Sequence, residues 1–384
     1  MAVIDGPRAT PARLRAVASY FLWLGCTGFG GPQAVIAMME EECVHRRRWL
    51  DRDRFLEGLG LCNLLPGPAS TQLGIWIGYL RAGWPGGIVA GVCFLLPAFA
   101  MLVVAAWAYF SYRTRWDLDA WFFGLHAAVI ALILVSCQRL ARSCVKRPWQ
   151  WGLLAGGFAA TVAGLPIVLT LVAAGTLVLL VAAMQRRRPS VLAVDPVVLV
   201  TLALFFLKVG AFVYGGGLVI LPFIQQEVVG QRGWLTAREF ADGVALGQVT
   251  PGPVAITAAF IGYHVAQTHA LPGIIGATVA TVAIFLPSFV LVLAVAPWLR
   301  RVRDVWPIQA FFEGINVAVV GAILGAAIPL ALAAVREAPP IAVVSWLAMV
   351  AGAVVLSFRG RIAPPVLLAV AALIGYVVRH AVWS

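Results

Sequence analysis

Charged side chains are scarce in this 384-residue chain: they make up 11% of it, against 62% hydrophobic residues. A soluble protein carries about 25% charged residues, so this chain lacks the polar surface that a water-soluble globule of its size needs. Lysine is the rarest charged residue, because only Lys146 and Lys208 occur. The scarcity of charge excludes a soluble enzyme, a nucleic-acid-binding domain and a disordered chain.

Cysteine clusters and catalytic sequence motifs are also missing. The six cysteines lie at positions 26, 43, 62, 93, 137 and 144, without a C-x-x-C spacing or a histidine cluster beside them. This pattern supports neither a zinc site nor a disulfide framework. The sequence contains no G-x-x-x-x-G-K-[ST] loop, no H-E-x-x-H and no nucleophile elbow. We therefore expect no metal, no cofactor and no enzymatic activity.

The chain has instead a series of apolar runs, each about as long as the 20 residues that a helix needs to cross a bilayer. The mean hydropathy is +0.94. The net charge of +12 comes mainly from arginines between the runs, which we interpret as headgroup contacts and topology signals, or as a field that concentrates an anionic substrate. The runs predict an all-α polytopic membrane protein with two series of six segments, at 17–43, 55–80, 86–110, 120–138, 150–164 and 166–185, and at 197–227, 239–266, 272–298, 308–334, 341–357 and 364–382.

The two series share one sequence pattern. Gly25 ends F-L-W-L-G and Gly210 ends F-L-K-V-G, and the Pro-Gly-Pro triplets at 66–68 and 251–253 keep the same offset in numbering (210 − 25 = 251 − 66 = 185). Farther along, the Leu-Pro pairs at 96–97 and 286–287 match at a slightly larger offset (286 − 96 = 190). Apolar sequence gives scattered Leu and Val matches by chance, but not P-G-P in register. We therefore predict two homologous six-segment repeats.

A basic linker at 185–189 divides the repeats. We predict a cytoplasmic N-terminal tail at 1–16, a first repeat at 17–185, the linker at 186–196 and a second repeat at 197–384. The positive-inside rule does not orient them, because nearly every loop carries arginine. We expect the repeats to be inverted, with some apolar segments that enter and leave on the same side.

Each half contains two helix-breaking motifs at matching positions. The glycine-rich break covers 25–32 and 210–217, and the Pro-Gly-Pro break covers 63–72 and 248–257. Backbone groups freed inside a membrane are tolerated only where protein or a watery cavity satisfies them. A single kink can simply shape helix packing, but four breaks matched in pairs are typical of transporter sites.

The Pro-Gly-Pro break predicts a binding site for a small anion. Pro66 stops the incoming helix, Gly67 permits an unusual φ, and Pro68 suits the first position of a new helix. The N–H groups of residues 69–71 and 254–256 are then unpaired donors at helix N-termini, each with about half a positive charge. We predict as substrate-binding Gly30, Gly31, Asn63, Gly67, Ala69, Ser70, Thr71, Gln72, Lys208, Gly215, Gly216, Gln248, Thr250, Gly252 and Thr257, and as helix-breaking Pro32, Pro66, Pro68, Pro251 and Pro253.

Ionisable residues inside apolar runs are further candidates, because each costs about 2.5–3.5 kcal/mol at a helix centre. Lys208 could pair with the substrate or with an acid such as Glu227 or Glu313, or extend to the membrane interface. Glu42 and Glu227 could carry coupling protons, hold arginines or simply end their helices. His126 could relay protons or make a packing hydrogen bond.

These motifs resemble the chromate ion transporter family. F-G-G-P at 29–32, then W-L at 49–50 and N-L-L-P-G-P-x-x-T-Q from Asn63 to Gln72, follow the family pattern, and Y-G-G-G with Q-x-T-P-G-P follows the second half of its long, two-domain members. The resemblance covers about 19–130 and 204–322. It implies a secondary carrier in the bacterial inner membrane that exports chromate and confers chromate resistance, with sulfate as the related oxyanion. Uptake of sulfate or another oxyanion, a channel, and a homodimer stay open.

Overall fold

The computed structural model describes residues 9–29, 31–65, 67–112, 118–145, 147–165, 198–212, 220–295, 306–335, 338–359 and 364–383, with short stretches at 170–171, 173–174 and 176–177. Helices make up every regular element within these ranges, and no strand occurs among them. The all-α class predicted from the apolar runs is therefore confirmed. The linker and most of the sixth predicted segment lie outside the described residues.

The first half contains six described helices. They are α1 Pro11–Thr27, α2 Gly31–Glu40 with a π-helical turn Glu41–Arg46, α3 Arg52–Leu64, α4 Ala69–Tyr112, α5 Leu118–Cys144 and α6 Gln150–Val162. Helix α1 thus begins before the predicted start at residue 17. The glycine-rich break falls where it was predicted, between α1 and α2.

The second half follows the same order. Its helices are α7 Val198–Phe212, α8 Ile220–Gln225 with a π-helical turn Gln226–Gln231, α9 Ala237–Val249, α10 Thr257–Thr268 after a 3₁₀ turn Val254–Ile256, α11 Gly273–Val290 with a π-helical turn Leu291–Val295, α12 Trp306–Val335, α13 Pro340–Arg359 and α14 Pro364–Trp383. The turns 41–46 and 226–231, and the helices 52–64 and 237–249, keep the predicted offset (226 − 41 = 237 − 52 = 185).

Local sequence explains where these helices begin. Thr10 caps α1 by accepting a hydrogen bond from the N–H of Arg13, and Asp51 caps α3 by accepting one from the N–H of Arg54 at 2.8 Å. Thr236 and Glu239 form a reciprocal capping box at the start of α9. Such caps satisfy N–H groups that have no partner inside the helix.

Four helical stretches are long and apolar enough to cross a membrane: Ala69–Tyr112, Leu118–Arg142, Gly273–Ala294 and Pro340–Phe358. Their outer faces are apolar too. Trp84, Ile88, Val92 and Leu96 follow each other at a spacing of four on α4, and all are exposed. One apolar stripe on a helix that already buries its other face is the surface expected against lipid chains. The chain is therefore a multi-pass membrane protein.

Helix α4 folds back on itself. Ala82 and Gly83 leave the helical conformation, Gly83 with a φ of +65°. A Cβ added to Gly78 would lie 2.3 Å from the carbonyl oxygen of Gly86, so the two arms of α4, at 69–81 and 84–112, touch through glycine. Helices α10 and α11 contact in the same way through Gly262 and Gly276. Each half thus places a short helix after its Pro-Gly-Pro break and returns at once through a longer one.

Candidate functional site

Both Pro-Gly-Pro motifs interrupt helices, as predicted. Helix α3 ends at Leu64 and α4 begins at Ala69, while α9 ends at Val249 and helical structure resumes at Val254. Gly67 has a φ of +131° and Gly252 a φ of +103°, values that residues with a side chain rarely adopt. Pro68 and Pro253 precede the new helical turns instead of occupying their first position, which corrects the sequence-based placement by one residue.

The first Pro-Gly-Pro loop lies among polar side chains. A Cβ on Gly67 would lie 2.3 Å from Ser288 Oγ and 2.4 Å from Gln72 Nε2, so both atoms rest against its backbone. Thr71 and Ser288 are fully buried. Within the described part of the chain, neither Thr71 Oγ1 nor Ser288 Oγ has a hydrogen-bond partner. Buried hydroxyls are almost always paired, so these two mark a place where a partner outside the described residues completes the bonding.

Backbone donors add to this first loop. The N–H of Gln72 donates to Pro68 O at 3.0 Å, which is the first bond of α4. The N–H groups of Ala69, Ser70 and Thr71 precede that bond and have no place in the helical ladder. Three amide donors and the positive end of the helix dipole thus follow directly on the loop that Ser288 contacts.

The second Pro-Gly-Pro loop is chemically different. The N–H of Gly252 donates to Gly28 O at 3.1 Å, and a Cβ on Gly252 would meet only Ala98 Cβ, at 3.1 Å. The N–H of Ile256 donates to Pro253 O at 3.0 Å, so the prediction of a free donor at Ile256 is wrong. In a 3₁₀ turn each N–H bonds to the carbonyl three residues back, instead of four as in an α-helix, so the N–H of Ile256 finds its acceptor within the turn.

Polar side chains near the second loop are mostly satisfied within the chain. Thr257 Oγ1 donates to Val254 O at 2.8 Å, and Thr250 Oγ1 donates to Gly247 O at 3.0 Å. Gln248 Nε2 is the exception, because this buried amide nitrogen has no partner among the described residues.

Each loop contacts the opposite half of the chain. Gly67 of the first half lies against Ser288 on α11, and Gly252 of the second half lies against Ala98 on α4 and bonds to Gly28. Ala98 and Ser288 occupy equivalent positions, because each directly follows the matched Leu-Pro pair (288 − 98 = 190). The two loops therefore lie at the interface between the halves.

The glutamates predicted for coupling hold arginines. Glu42 Oε1 lies 2.7 Å from Arg47 Nε, and Glu227 Oε2 lies 3.4 Å from Arg232 Nε. Each arginine also covers two aromatic rings: Arg47 those of Tyr20 and Trp49, Arg232 those of Phe205 and Trp234. These contacts anchor the π-helical turns, and any role in coupling stays a prediction.

Lys208 pairs with an acid, one of the alternatives that the sequence left open. Its Nζ lies 2.5 Å from Glu227 Oε1, and its side chain is 48% exposed. The other predicted residues are placed only in part. Gly31 and Pro32 begin α2, and Asn63 belongs to α3 without a described side chain. Gly30, Pro66, Gly215 and Gly216 lie outside the described residues.

A buried polar cluster that the sequence only partly predicted also joins the halves. Asp242 on α9 accepts a hydrogen bond from the hydroxyl of Tyr109 on α4, and its Oδ1 lies 2.8 Å from His126 Nε2 on α5. His126 was considered as a proton relay or as a packing group, whereas Asp242 and Tyr109 were missed. The available signal was Asp242 itself, an acid inside a predicted apolar segment at the position equivalent to Glu57 (242 − 57 = 185).

Comparisons with known proteins agree on one family. The family model described as Chromate transporter matches residues 15–180 and 200–376. A chromate transport protein of Cupriavidus metallidurans is 36% identical over 383 residues, covering 95% of this chain and 93% of the relative. A probable chromate transport protein of Synechococcus elongatus is 36% identical over 346 residues (85% and 86% covered), and a chromate transport protein of Pseudomonas aeruginosa is 31% identical over 349 residues (84% and 82% covered). No solved structure matches the chain.

Proposed function

Since this chain belongs to the chromate transporter family, we propose that it exports chromate from the cytoplasm across the bacterial inner membrane and so confers chromate resistance. Chromate is a compact tetrahedral dianion with four acceptor oxygens. A site for it needs converging donors and positive potential without a tightly held counter-ion. The substrate class comes from the family, and the site assigned to it comes from the geometry of the first Pro-Gly-Pro loop.

One observation carries this assignment: the buried hydroxyls of Thr71 and Ser288 lack partners within the described chain, beside three amide donors at the start of α4. A helix N-terminus with open N–H groups binds anions, because the helix dipole adds about half a positive charge. The hydroxyls supply neutral donors from two different helices. In this proposal the oxyanion rests between Gly67, Thr71 and Ser288.

The membrane potential suffices to drive export of such an ion. An interior that is negative by about 100 mV favours the exit of each negative charge by about 2.3 kcal/mol. For a dianion the gain is about 4.6 kcal/mol, which corresponds to a concentration ratio above about a thousand. No ATP-hydrolysing unit is required.

Alternating access follows from movement of one half against the other. Gly67–Ser288 and Gly252–Ala98 are equivalent contacts that cross between the halves. They support a pseudo-two-fold arrangement of the repeats at 17–185 and 197–384, which we propose to be inverted as in many carriers. A rocking movement would then expose the first loop to each side of the membrane in turn.

Radiolabelled chromate flux tests the proposal. Inverted vesicles from cells that express the chain should accumulate chromate faster than vesicles without it, and an interior-positive potential should raise the rate. An excess of unlabelled chromate on the opposite side of the membrane should accelerate the flux of labelled chromate. The reason is that a carrier returns to its starting conformation faster with substrate bound. Sulfate should inhibit chromate flux if the site recognises only the shape and charge of the anion.

Other results would point elsewhere. Flux in right-side-out vesicles alone would indicate an uptake permease, and flux without counter-flow stimulation would indicate a channel. Failure of chromate and sulfate to raise the melting temperature of the purified protein would argue against a specific oxyanion site, because a bound ligand stabilises the folded state.

A further inference from the structure

We propose that Asp242, with His126 and Tyr109, forms a proton-binding site that couples transport to the pH gradient. This inference rests on the proposed transport function and concerns residues distinct from the Pro-Gly-Pro loops. It starts from a juxtaposition: a carboxylate of the second half is held by a phenol and an imidazole of the first.

All three side chains are buried, with Asp242 only 2% exposed. Aromatic rings close the site, because Phe122 and Phe260 lie 5.6 Å and 5.5 Å from the ring of Tyr109. Ionisable groups in such surroundings are expensive and are typical of ion and proton pathways. A purely structural role is a weak explanation for these three polar residues, because three apolar side chains of the same volume would pack at least as well between the halves.

The contact between Asp242 and His126 is suited to bind a proton. A neutral imidazole faces the carboxylate with its hydrogen on Nε2, and one further proton on Nδ1 turns the pair into an imidazolium beside a carboxylate. The two atoms nevertheless do not meet the angular criteria of a hydrogen bond. The pair is therefore a close contact whose strength depends on the charge of the imidazole, without a firm directional bond to fix it.

Removing that further proton leaves the trio with one buried negative charge on Asp242, which the hydroxyl of Tyr109 and a neutral imidazole must stabilise. Because Asp242 belongs to one half and its partners to the other, loss of the proton weakens a contact between the halves. Rebinding restores it. The proton comes from water on one side of the membrane and returns to water on the other, and no bond other than O–H or N–H forms or breaks.

In this proposal protons reach the buried site by way of a partly exposed charged cluster. Asp119 pairs with Arg238 and lies 3.5 Å from Arg379, and all three side chains are partly exposed. Asp119 precedes His126 by seven positions on α5, about 10 Å along the helix, and Arg238 precedes Asp242 by four on α9. The exposed cluster and the buried site thus share the same faces of two neighbouring helices.

The elements packed against α9 contribute other titratable groups. The side chain of Glu313 on α12 lies outside the described residues. The remaining groups on these elements are Tyr79, Arg81, Cys93 and Tyr112 on α4, Cys137, Arg139, Arg142 and Cys144 on α5, Tyr263 and His264 on α10, Tyr376 and His380 on α14, and Glu239 on α9 itself. Glu239 is engaged in the capping box with Thr236. Within the described residues, the polar contacts of the Asp242 carboxylate come from Tyr109 and His126.

Purified protein in proteoliposomes tests the site. At a membrane potential clamped with potassium and valinomycin, an imposed pH gradient should accelerate chromate flux by the wild-type chain. Asp242→Asn keeps the shape and can still accept from Tyr109, but it cannot take up a proton. We expect it to lose at least tenfold of the gradient-driven rate while chromate exchange at equal pH and chromate-dependent thermal stabilisation persist.

Glu57→Gln is the matched control, because Glu57 is the equivalent acid of the first half, and it should keep the gradient-driven rate. His126→Asn introduces the residue found at the equivalent position 316 and should behave like Asp242→Asn; it decides the question if Asp242→Asn fails to fold. Gradient-driven flux that survives in both variants would overturn the proton site, as would wild-type flux that ignores the gradient. Absence of any wild-type chromate flux would instead overturn the proposed function.

Discussion

The two Pro-Gly-Pro loops share a backbone but differ in chemistry. Both glycines take a positive φ, both loops are largely buried, and both contact the opposite half. The first loop leads directly into an α-helix through Ser70 and Thr71, and it faces Ser288. The second leads into a 3₁₀ turn through Val254 and Ala255, and it faces Ala98.

The difference changes what each loop offers an anion. At the first loop the buried hydroxyls of Thr71 and Ser288 have no partner within the described chain, and the amides of residues 69–71 precede the first bond of α4. At the second loop the N–H of Gly252 donates to Gly28 O, the N–H of Ile256 donates to Pro253 O, and the hydroxyl of Thr257 donates to Val254 O. Both halves thus contain the helix break, whereas the two buried hydroxyls without a partner in the described chain lie at the first loop. We expect one oxyanion site per chain, closer to Gly67 than to Gly252.

The largest effect should come from Gly67→Val. A side chain there would collide with Ser288 Oγ, 2.3 Å from the new Cβ, and would hold a φ of +131°. Such backbone strain costs about 1–3 kcal/mol, and the branched side chain would fill the space of the oxyanion. Chromate flux in inverted vesicles should fall to background.

Gly233→Arg is the control for this experiment. Gly233 also has a positive φ, +60°, but nothing lies within 4 Å of its would-be Cβ. Arg48 already adopts a φ of +49° at the equivalent position of the first half (233 − 48 = 185). Flux should therefore be unchanged. Normal flux through Gly67→Val would show that the first loop is not the site.

A smaller effect is expected when a hydroxyl is exchanged between the halves. Ser288→Ala removes a donor to the oxyanion, and a hydrogen bond to a charged group contributes about 1.5–3 kcal/mol. The KM for chromate should rise about tenfold or more. Ala98→Ser adds a hydroxyl at the equivalent position beside the second loop and should leave KM unchanged. An equal response of KM to both substitutions would contradict the asymmetry between the loops.

Much of this comparison was accessible from sequence, because it depends on local rules. A glycine between two prolines must end one helix and permit a positive φ, and the triplets at 66–68 and 251–253 do so in both halves. The long apolar runs likewise specify helices wherever the bilayer leaves the backbone no other partner. The predicted offset of 185 recurs between α3 and α9 and between the two π-helical turns, although the turns themselves were not predicted.

The differences between the loops were not accessible, because they depend on contacts between distant residues. Nothing local distinguishes Ser288 from other serines on apolar helices, and only folding brings it to Gly67, which belongs to the other half of the chain. Asp242 and Tyr109 are likewise far apart in sequence and meet only in the folded protein. The 3₁₀ turn after Pro253 has no sequence signal, since Val, Ala and Ile are compatible with either helix type.

The smallest effect should come from Lys208→Met. The sequence favoured Lys208 as a substrate ligand, since it is a cation inside an apolar run, whereas its equivalent in the first half is Trp23 (208 − 23 = 185). In the structure its half-exposed ammonium faces Glu227, which also pairs with Arg232. An ion pair with a half-exposed partner contributes little, about 0–1 kcal/mol when fully exposed, and Glu227 keeps Arg232 as a cation after the substitution. Chromate flux and KM should change by less than about fivefold, as measured beside Trp23→Met in the same vesicles. A loss of flux as complete as that of Gly67→Val would indicate that the substrate binds near α7 and not at the first Pro-Gly-Pro loop. The charged side chain of Lys208, and not the helix terminus, would then be the main attraction for the dianion.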